Sequence, residues 1–381
     1  MSLLDLPNEL ISRIISFLDS PSPFDETVLH KPISWRNLKQ PWQVDDPDHM
    51  PDGTPFWRDP LKQLSLTCHL VRSLTMPLLF KHAVLHPHRL TEFLAFLRDQ
   101  TLTHHVSSIV ADVPGIYNHL HPAWWARLLN EVPVTRFSIF APPEVLAEMA
   151  GISADSADAW AFDMATQILR FDQTAEDARA QIDYDNLPNF LVARPWTNMT
   201  FNEGSSLLAY TTYEFFLRRT PSLLTALQSN HSAAGETLFA NLLSFEFIAI
   251  FPFYNHIDEI LKCVRRMKRL KRLFIKLCPE PDSTVLHDEI EQAGGHLDVN
   301  DPWNECETSW MLIAHTVVFL TMEGALEELH MDDVKVDGVR STLENSLVAR
   351  LQEWWAYHGD GSGVWRRKSL GLVASAPVAG Q

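Results

Sequence analysis

Residues 270–277 read Leu270-Lys271-Arg272-Leu273-Phe274-Ile275-Lys276-Leu277, with apolar side chains at the first, fourth, sixth and eighth positions. The last three of these alternate with a period of two, which puts them on one buried face of a strand. Working outward, Leu326, Leu329 and Met331 repeat the first three positions of the frame. Looser copies are Val106/Ile109/Ala111, Val134/Phe137/Ile139, Trp196/Met199/Phe201 and Leu242/Phe245/Phe247. Helical stretches lie between the copies, so the predicted class is α/β.

The copies start at 106, 134, 196, 242, 270 and 326; two of the steps are 28 residues and one is twice that. Leucine-rich repeats run about 20–29 residues, each a strand followed by a helix. The period predicts an irregular leucine-rich-repeat-like α/β solenoid over residues 81–358. In each strand the residues flanking the buried positions point to the opposite, concave face, the customary binding side of such folds. They are Arg136, Ser138, Phe140, Asn198, Thr200, Asn202, Glu246, Arg272, Lys276, His330 and Asp332. Their mixed charge suits recognition of a protein or peptide, which makes them the predicted substrate-binding residues.

The chain has 381 residues, room for two or three domains at roughly 100–200 residues each. Apolar residues at 46% and charged residues at 21% exclude wholesale disorder. The formal net charge is −17, from 31 basic against 48 acidic residues. Nucleic acid and anionic membranes both need a positive field, so neither is expected as the main partner. No basic segment precedes an apolar run at the N-terminus, and the longest apolar run, near 311–320, spans ten residues and contains His315. Neither a signal peptide nor a transmembrane helix is expected. Cys68, Cys263, Cys278 and Cys306 are scattered without a C-x-x-C pair, which fits reduced, buried thiols. The expectation is a soluble, acidic, intracellular protein of the cytoplasm, the nucleus or both.

Residues 3–18 form the clearest single element. Pro7 suits a first helical turn, and Glu9 favours the positive end of the helix dipole. Leu10, Ile11, Ile14, Ile15 and Leu18 repeat at helical spacing, with Phe17 widening the stripe, so Ser12, Arg13 and Ser16 alone are left for water. Residues 20–58 then hold seven prolines and three tryptophans, Trp35, Trp42 and Trp57, which predicts a long inserted loop. Asp59-Pro60 is a good helix start. Leu61, Leu64 and Leu66 follow, then a helix carrying Leu70, Val71, Leu74, Leu78 and Leu79, kinked or ended by Pro77. So small a module cannot enclose a first helix that is apolar on nearly all sides. Either another chain covers the excess, or the solenoid or the Trp-rich loop does.

Leu6-Pro7-Asn8-Glu9-Leu10 with Ile14, Phe17 and Leu18, then Leu61-x-x-Leu64-Ser65-Leu66-Thr67-Cys68-x-x-Val71-Arg72-x-Leu74, resembles the F-box. The resemblance covers the module at 1–80, interrupted by the insertion at 20–58 where the family joins its first two helices closely. The remainder looks like fungal F-box proteins with a divergent leucine-rich-repeat C-terminal region, in Arg194-Pro195-Trp196 and Asn202-Glu203-Gly204-Ser205-Ser206. The resemblance implies three short helices that bind a Skp-family adaptor and, through it, a cullin. Leu6, Pro7, Leu10, Ile11, Ile14, Leu18, Leu61, Leu64 and Val71 would divide between the module's own core and the adaptor groove. The tail from 359 to 381 is expected to be disordered.

The sequence holds no phosphate-binding loop, nucleophile elbow or H-E-x-x-H. His82, His86, His88, His104 and His105 come without cysteine partners or a ligand-like carboxylate spacing, so no catalytic, cofactor or metal residue is predicted. Lys262, Arg265, Arg266, Lys268, Arg269, Lys271, Arg272 and Lys276 make a basic cluster beside the apolar stripe Ile257, Ile260, Leu261, Val264 and Met267. It is either a patch for an acidic partner or phosphorylated degron, or, as the spacing favours, the solvated outer face of a repeat helix. The resulting expectation is a non-catalytic receptor subunit of a ubiquitin ligase that works by proximity, its protein target unspecified. The rival is an interaction scaffold that uses an F-box-like module outside any ligase.

Overall fold

The computed structural model describes residues 6–18, 60–115, 123–162, 164, 166–182, 189–229, 232–281, 283, 285–292, 297–298, 300–359 and 361–368. The expected loop at 20–58, the helix start at Asp59 and the tail beyond 368 lie outside them.

Each copy of the apolar frame becomes a strand that begins two residues after the frame's first position. These are β2 (Ser108–Asp112), β3 (Arg136–Ala141), β5 (Asn198–Ser205), β6 (Ser244–Ile250), β7 (Arg272–Lys276) and β8 (Glu328–Met331). Four more strands complete the sheet: β1 (His82–Leu85), β4 (Gln167–Asp172), β9 (Trp355–Tyr357) and β10 (Val364–Arg367). The order is β1-β2-β3-β4-β5-β6-β7-β8-β10-β9 in one ten-stranded sheet. β1–β3 are mutually parallel, as are β5–β8, while β4 runs antiparallel to both of its neighbours and β10 antiparallel to β8 and β9.

Equal frame positions pair directly. Ile109, Phe137, Phe171, Met199, Phe245, Leu273, Leu329 and Trp365 form one continuous rung across eight strands. Ala111, Ile139, Leu169, Phe201, Phe247, Ile275 and Met331 form the next. All of these side chains are buried. Each large one contributes roughly 1.5–3 kcal/mol by leaving water, and a slip of one residue would turn a whole strand's set outward.

The helices are α1 (Asn8–Ser16), α2 (Pro60–Ser65), α3 (His69–Leu79), α4 (Leu90–Asp99), α5 (Trp124–Glu131), α6 (Pro143–Met149), α7 (Ala159–Phe162), α8 (Leu223–Ser229), α9 (Ala233–Asn241), α10 (Tyr254–Arg266), α11 (Val285–Gln292), α12 (Asn300–Glu323) and α13 (Asp337–Leu351). α10 shows why they cover the rungs: Ile257, Ile260, Leu261 and Val264 recur at helical spacing and are all buried. They share one cluster with Leu128 of α5, Leu227 of α8 and Trp310 and Val317 of α12.

At the N-terminus, α1, α2 and α3 enclose a separate small cluster of Ile11, Ile15, Leu61 and Val71. Leu79 packs against this cluster and against the larger one. Pro7 stands just before α1 rather than in its first turn; its carbonyl accepts the amides of Leu10 and Ile11 at 3.0 and 3.1 Å. α3 passes through Pro77 and ends two residues later, since a proline so near the C-terminus removes only one hydrogen bond.

The chain stays ordered beyond the expected boundary at 359. Trp365 fills the end of the first rung, and its ring stacks on Tyr357 with centroids 4.5 Å apart, so the segment has a buried face after all. Gly363 lets the hairpin close: its φ is +65, and a Cβ there would run into the Met331 carbonyl. Gly363→Ala is expected to destabilise the protein by about 2 kcal/mol or more, from the left-handed backbone and the clash together. Chemical denaturation measures it.

Asp333, in the turn Asp332–Lys335 after β8, ties three elements together. It accepts the amides of Leu277 and Cys278 at 2.8 Å each and the Trp310 indole N–H at 2.9 Å. Burial pushes its carboxyl up to about 6, against the pull of these donors. With the folded value above the ordinary one, this group's stabilising share is complete at low pH and is lost as pH rises through about 6. Asp333→Asn should flatten that part of the stability–pH curve. It should also cost about 1–3 kcal/mol, because an amide nitrogen cannot accept from the indole. Urea unfolding on either side of that pH tests both.

Candidate functional site

The face of the sheet opposite the apolar rungs carries the predicted substrate-binding residues, and strand spacing decides what they do there. Neighbouring strands lie about 4.8 Å apart, so polar side chains on adjacent strands meet one another before they meet a partner. Arg136 Nε pairs with Asp172 Oδ1 at 2.7 Å, and Arg170 reaches Asp172 at 3.3 Å and Glu246 at 3.5 Å. The Thr200 hydroxyl donates to Glu246 Oε2 at 2.6 Å. One network thus crosses β3, β4, β5 and β6.

A second network joins β7 and β8. Lys276 pairs with Glu280 and, at 3.4 Å, with Asp332; Lys335 reaches Asp332 at 2.8 Å, and His330 Nε2 lies 3.6 Å from the same carboxylate. Burial raises the Asp332 carboxyl, but Lys335 and Lys276 outweigh it and hold the group below the ordinary carboxylate range. The His330 ring meets Phe274 edge-on, centroids 4.9 Å apart.

This corrects the expectation of an open binding surface. Ser138, Phe140, Thr200, Asn202, Lys276 and Asp332 are buried; Arg136, Asn198, Glu246 and His330 are half-buried, and Arg272 is exposed. Asp332 lies past the end of β8 rather than on it. The missing partners were Arg170 and Asp172 on β4, which belongs to no frame copy. The alternation in residues 167–172 was the signal that could have found that strand.

The stretches Arg194–Trp196 and Asn202–Ser206 also have internal duties. Arg194 donates to the carbonyls of Ala180 and, at 2.9 Å, Leu129. Trp196 donates to the Phe190 carbonyl at 3.1 Å and stacks on Phe171. Asn202 Oδ1 accepts the Gly204 amide at 2.9 Å, within an irregularity of the β5–β6 pairing. The buried pair Glu203 and His256 lies 2.6 Å apart, and Ser205 donates to Glu289 at 2.7 Å.

The basic cluster is largely neutralised by the protein itself. Lys262 pairs with Asp258 and Glu259, Arg266 with Glu236, Lys268 with Glu323 and Lys271 with Glu327. Arg265 and Arg266 also lie over the rings of Phe319 and Phe239. His82 bonds Ser108, and His86 pairs with Asp112 and stacks on His88. Among the described residues no group of three His, Cys, Asp or Glu side chains comes together as a metal site, and no helix is long and apolar enough to cross a membrane. The four cysteines are free, and burial pushes the Cys263 thiol up to about 12.

The residues expected at the adaptor divide sharply. Ile11, Leu61 and Val71 are buried inside the module and so are removed from the contact set, while Leu6 and Leu64 pack partly against them. Pro7, Leu10, Ile14 and Leu18 are exposed, Leu10 at 48% and Ile14 at 43%. Phe17, at 79%, is exposed as well, as are Leu66 and Leu70, three residues outside the predicted adaptor set. A helix turns 100° per residue, so positions 10, 14, 17 and 18 share one side while 11 and 15 face the core.

Arg170→Ala should cost about 2–4 kcal/mol, because it removes a nine-tenths-buried stem and leaves Glu246 and Asp172 short of a cation. Arg272→Ala, on the same face but exposed, should stay within about 0.5 kcal/mol of wild type. Urea denaturation of the two variants compares them. Set beside known proteins, the chain matches no family model, no curated protein and no solved structure.

Proposed function

We propose that the chain is a non-catalytic substrate receptor of a cullin–RING ubiquitin ligase. Its N-terminal module would dock a Skp-family adaptor and its α/β region would hold a protein target. In this reading α1–α3 are F-box helices, the in-register strands are a degenerate leucine-rich-repeat array, and β4 is an insertion into it. The work would be done in the compartments where such ligases act, the cytoplasm and nucleus.

The observation that carries the reading is the uncovered side of α1. Ile11 and Ile15 already satisfy the module's interior, yet Leu10, Ile14, Phe17 and Leu18 remain in contact with water. Leu66 and Leu70, on the neighbouring segments, add to the exposed apolar area. Large apolar side chains left in water along one side of a helix are the kind of surface that protein partners cover. The mechanism needs no bond chemistry from this chain. Holding the target near a charged conjugating enzyme raises its effective concentration, and that is the catalytic contribution of a tether.

Co-purification of the full chain with the adaptor tests the assignment. Leu10→Asp/Ile14→Asp should lower adaptor recovery by at least about tenfold, the effect of losing one strong contact. Thermal unfolding should be unchanged, because both side chains are exposed. Equal recovery with wild type and variant overturns the docking role. Adaptor recovered without cullin would instead point to a scaffold outside the ligase.

A further inference from the structure

The two kinds of long-chain cation are divided unevenly along the sequence. Ten are lysines and 21 are arginines, yet residues 82–261 contain nine arginines and no lysine. A general preference for arginine does not account for this, because residues 262–276 hold four lysines and four arginines. Nor is the stretch a fringe of the fold. It builds β1 to β6, α4 to α9 and the start of α10.

Packing explains some of these arginines and not others. A guanidinium is a planar fork that serves several acceptors at once, a task for which an ammonium is a poor substitute. Arg170 reaches Asp172 and Glu246, Arg194 reaches two backbone carbonyls, and Arg127 reaches Glu131 and Thr91. At Arg89, Arg179 and Arg219, all exposed, no such duty is seen among the described residues. Arg89 meets Glu92 at 3.1 Å with its side chain 64% exposed, and Arg219 meets Asp155 only at 4.0 Å with its side chain 80% exposed. Surface pairs of this kind add little to stability, and a lysine would serve as well.

The difference that remains between the two residue types is chemical. Ubiquitin is carried by a conjugating enzyme as a thioester. A lysine Nζ whose proton has passed to solvent attacks the thioester carbonyl, an amide bond forms, and the enzyme's cysteine leaves as a thiolate. A guanidinium keeps its proton and delocalises its lone pair, so it does not take the acyl group. A receptor is held beside the thioester together with its target. Any free lysine of its own would therefore compete for ubiquitin at a similar effective concentration.

The lysines that follow the stretch are also poor acceptors. Lys276 is buried, Lys262 pairs with Asp258 and Glu259, and Lys268 and Lys271 pair with Glu323 and Glu327 at 3.0 and 3.1 Å. Glu259 and Asp258 hold the Lys262 ammonium above the ordinary lysine range, which keeps it protonated and unreactive.

We infer that residues 82–261 lie within reach of the charged conjugating enzyme and are kept clear of acceptor amines, so that ubiquitin passes to the bound target and not to the receptor. Specificity is obtained here by removing the wrong acceptor. The inference deepens the proposed function and rests on it.

The test assembles the full chain with adaptor, cullin–RING and ubiquitin-charged conjugating enzyme, in the absence of any target. Discharge of the thioester onto free lysine in the same mixture establishes that the ligase is active. Wild type is compared with Arg89→Lys/Arg179→Lys/Arg219→Lys, which should unfold at the wild-type temperature because all three side chains are exposed. Ubiquitin attached to the receptor should rise at least about threefold in the variant. Mass spectrometry of the diglycine remnants should place the added conjugates on the introduced lysines. With adaptor and cullin recovered and the ligase active, unmodified introduced lysines would overturn the inference alone, since the stretch would then be out of reach. Equal total modification of wild type and variant would do the same, since the receptor would not have been spared. Failure to recover the adaptor overturns the receptor reading, and the inference falls with it.

Discussion

The direct pairing of like positions from strand to strand is the constraint from which the rest of the molecule follows. Once Phe137, Phe171, Met199, Phe245, Leu273 and Leu329 stand side by side, every strand has a fixed inward face. Helices that present apolar stripes are then obliged to cover that face, and α5, α8, α10 and α12 do so in one cluster. The reversed strand β4 obeys the same rule. Its Phe171 and Leu169 occupy the rungs although the chain runs the other way. Register, rather than direction, is what the packing demands.

The same constraint sets the character of the opposite face. Residues between the rung positions are brought as close together as the rungs themselves, and the chain has filled those places with complementary charges. Arg136, Asp172, Arg170 and Glu246 hold one another, as do Lys276, Asp332 and Lys335. A face so satisfied offers little to a partner, because each group would have to leave one ion pair to join another. The exposed apolar side of α1 has no such internal partners among the described residues. A partner would meet less competition there than on the sheet.

The parts legible in the sequence were those fixed by periodicity. The frame at 270–277 and its copies located six strands, and the stripe from Ile257 to Val264 located a helix. β4 was hidden because it lies in the irregular gap between copies at 134 and 196. β10 was hidden because its glycine-rich approach resembles a disordered tail until Trp365 finds its place in the rung. Side-chain pairing was illegible for a different reason. That Arg170 reaches Glu246, or that Asp333 gathers the amides of Leu277 and Cys278, depends on contacts between residues dozens of positions apart. For α1 the composition showed an excess of apolar surface but not its direction. Only the seating of Ile11 and Ile15 against Leu61 and Val71 determines which side chains turn outward.

The ends of the sheet bear on how the protein behaves in a crowded cell. A row of strands with an open flank can recruit further chains through unpaired amides and carbonyls. Here the outermost strands are among the shortest, four residues in β1 and three in β9, and β10 runs against β8 so that the longer parallel series is shut off. Too little backbone is left at either flank to seed fibrous growth, so the sheet can be long without becoming a template for its own aggregation.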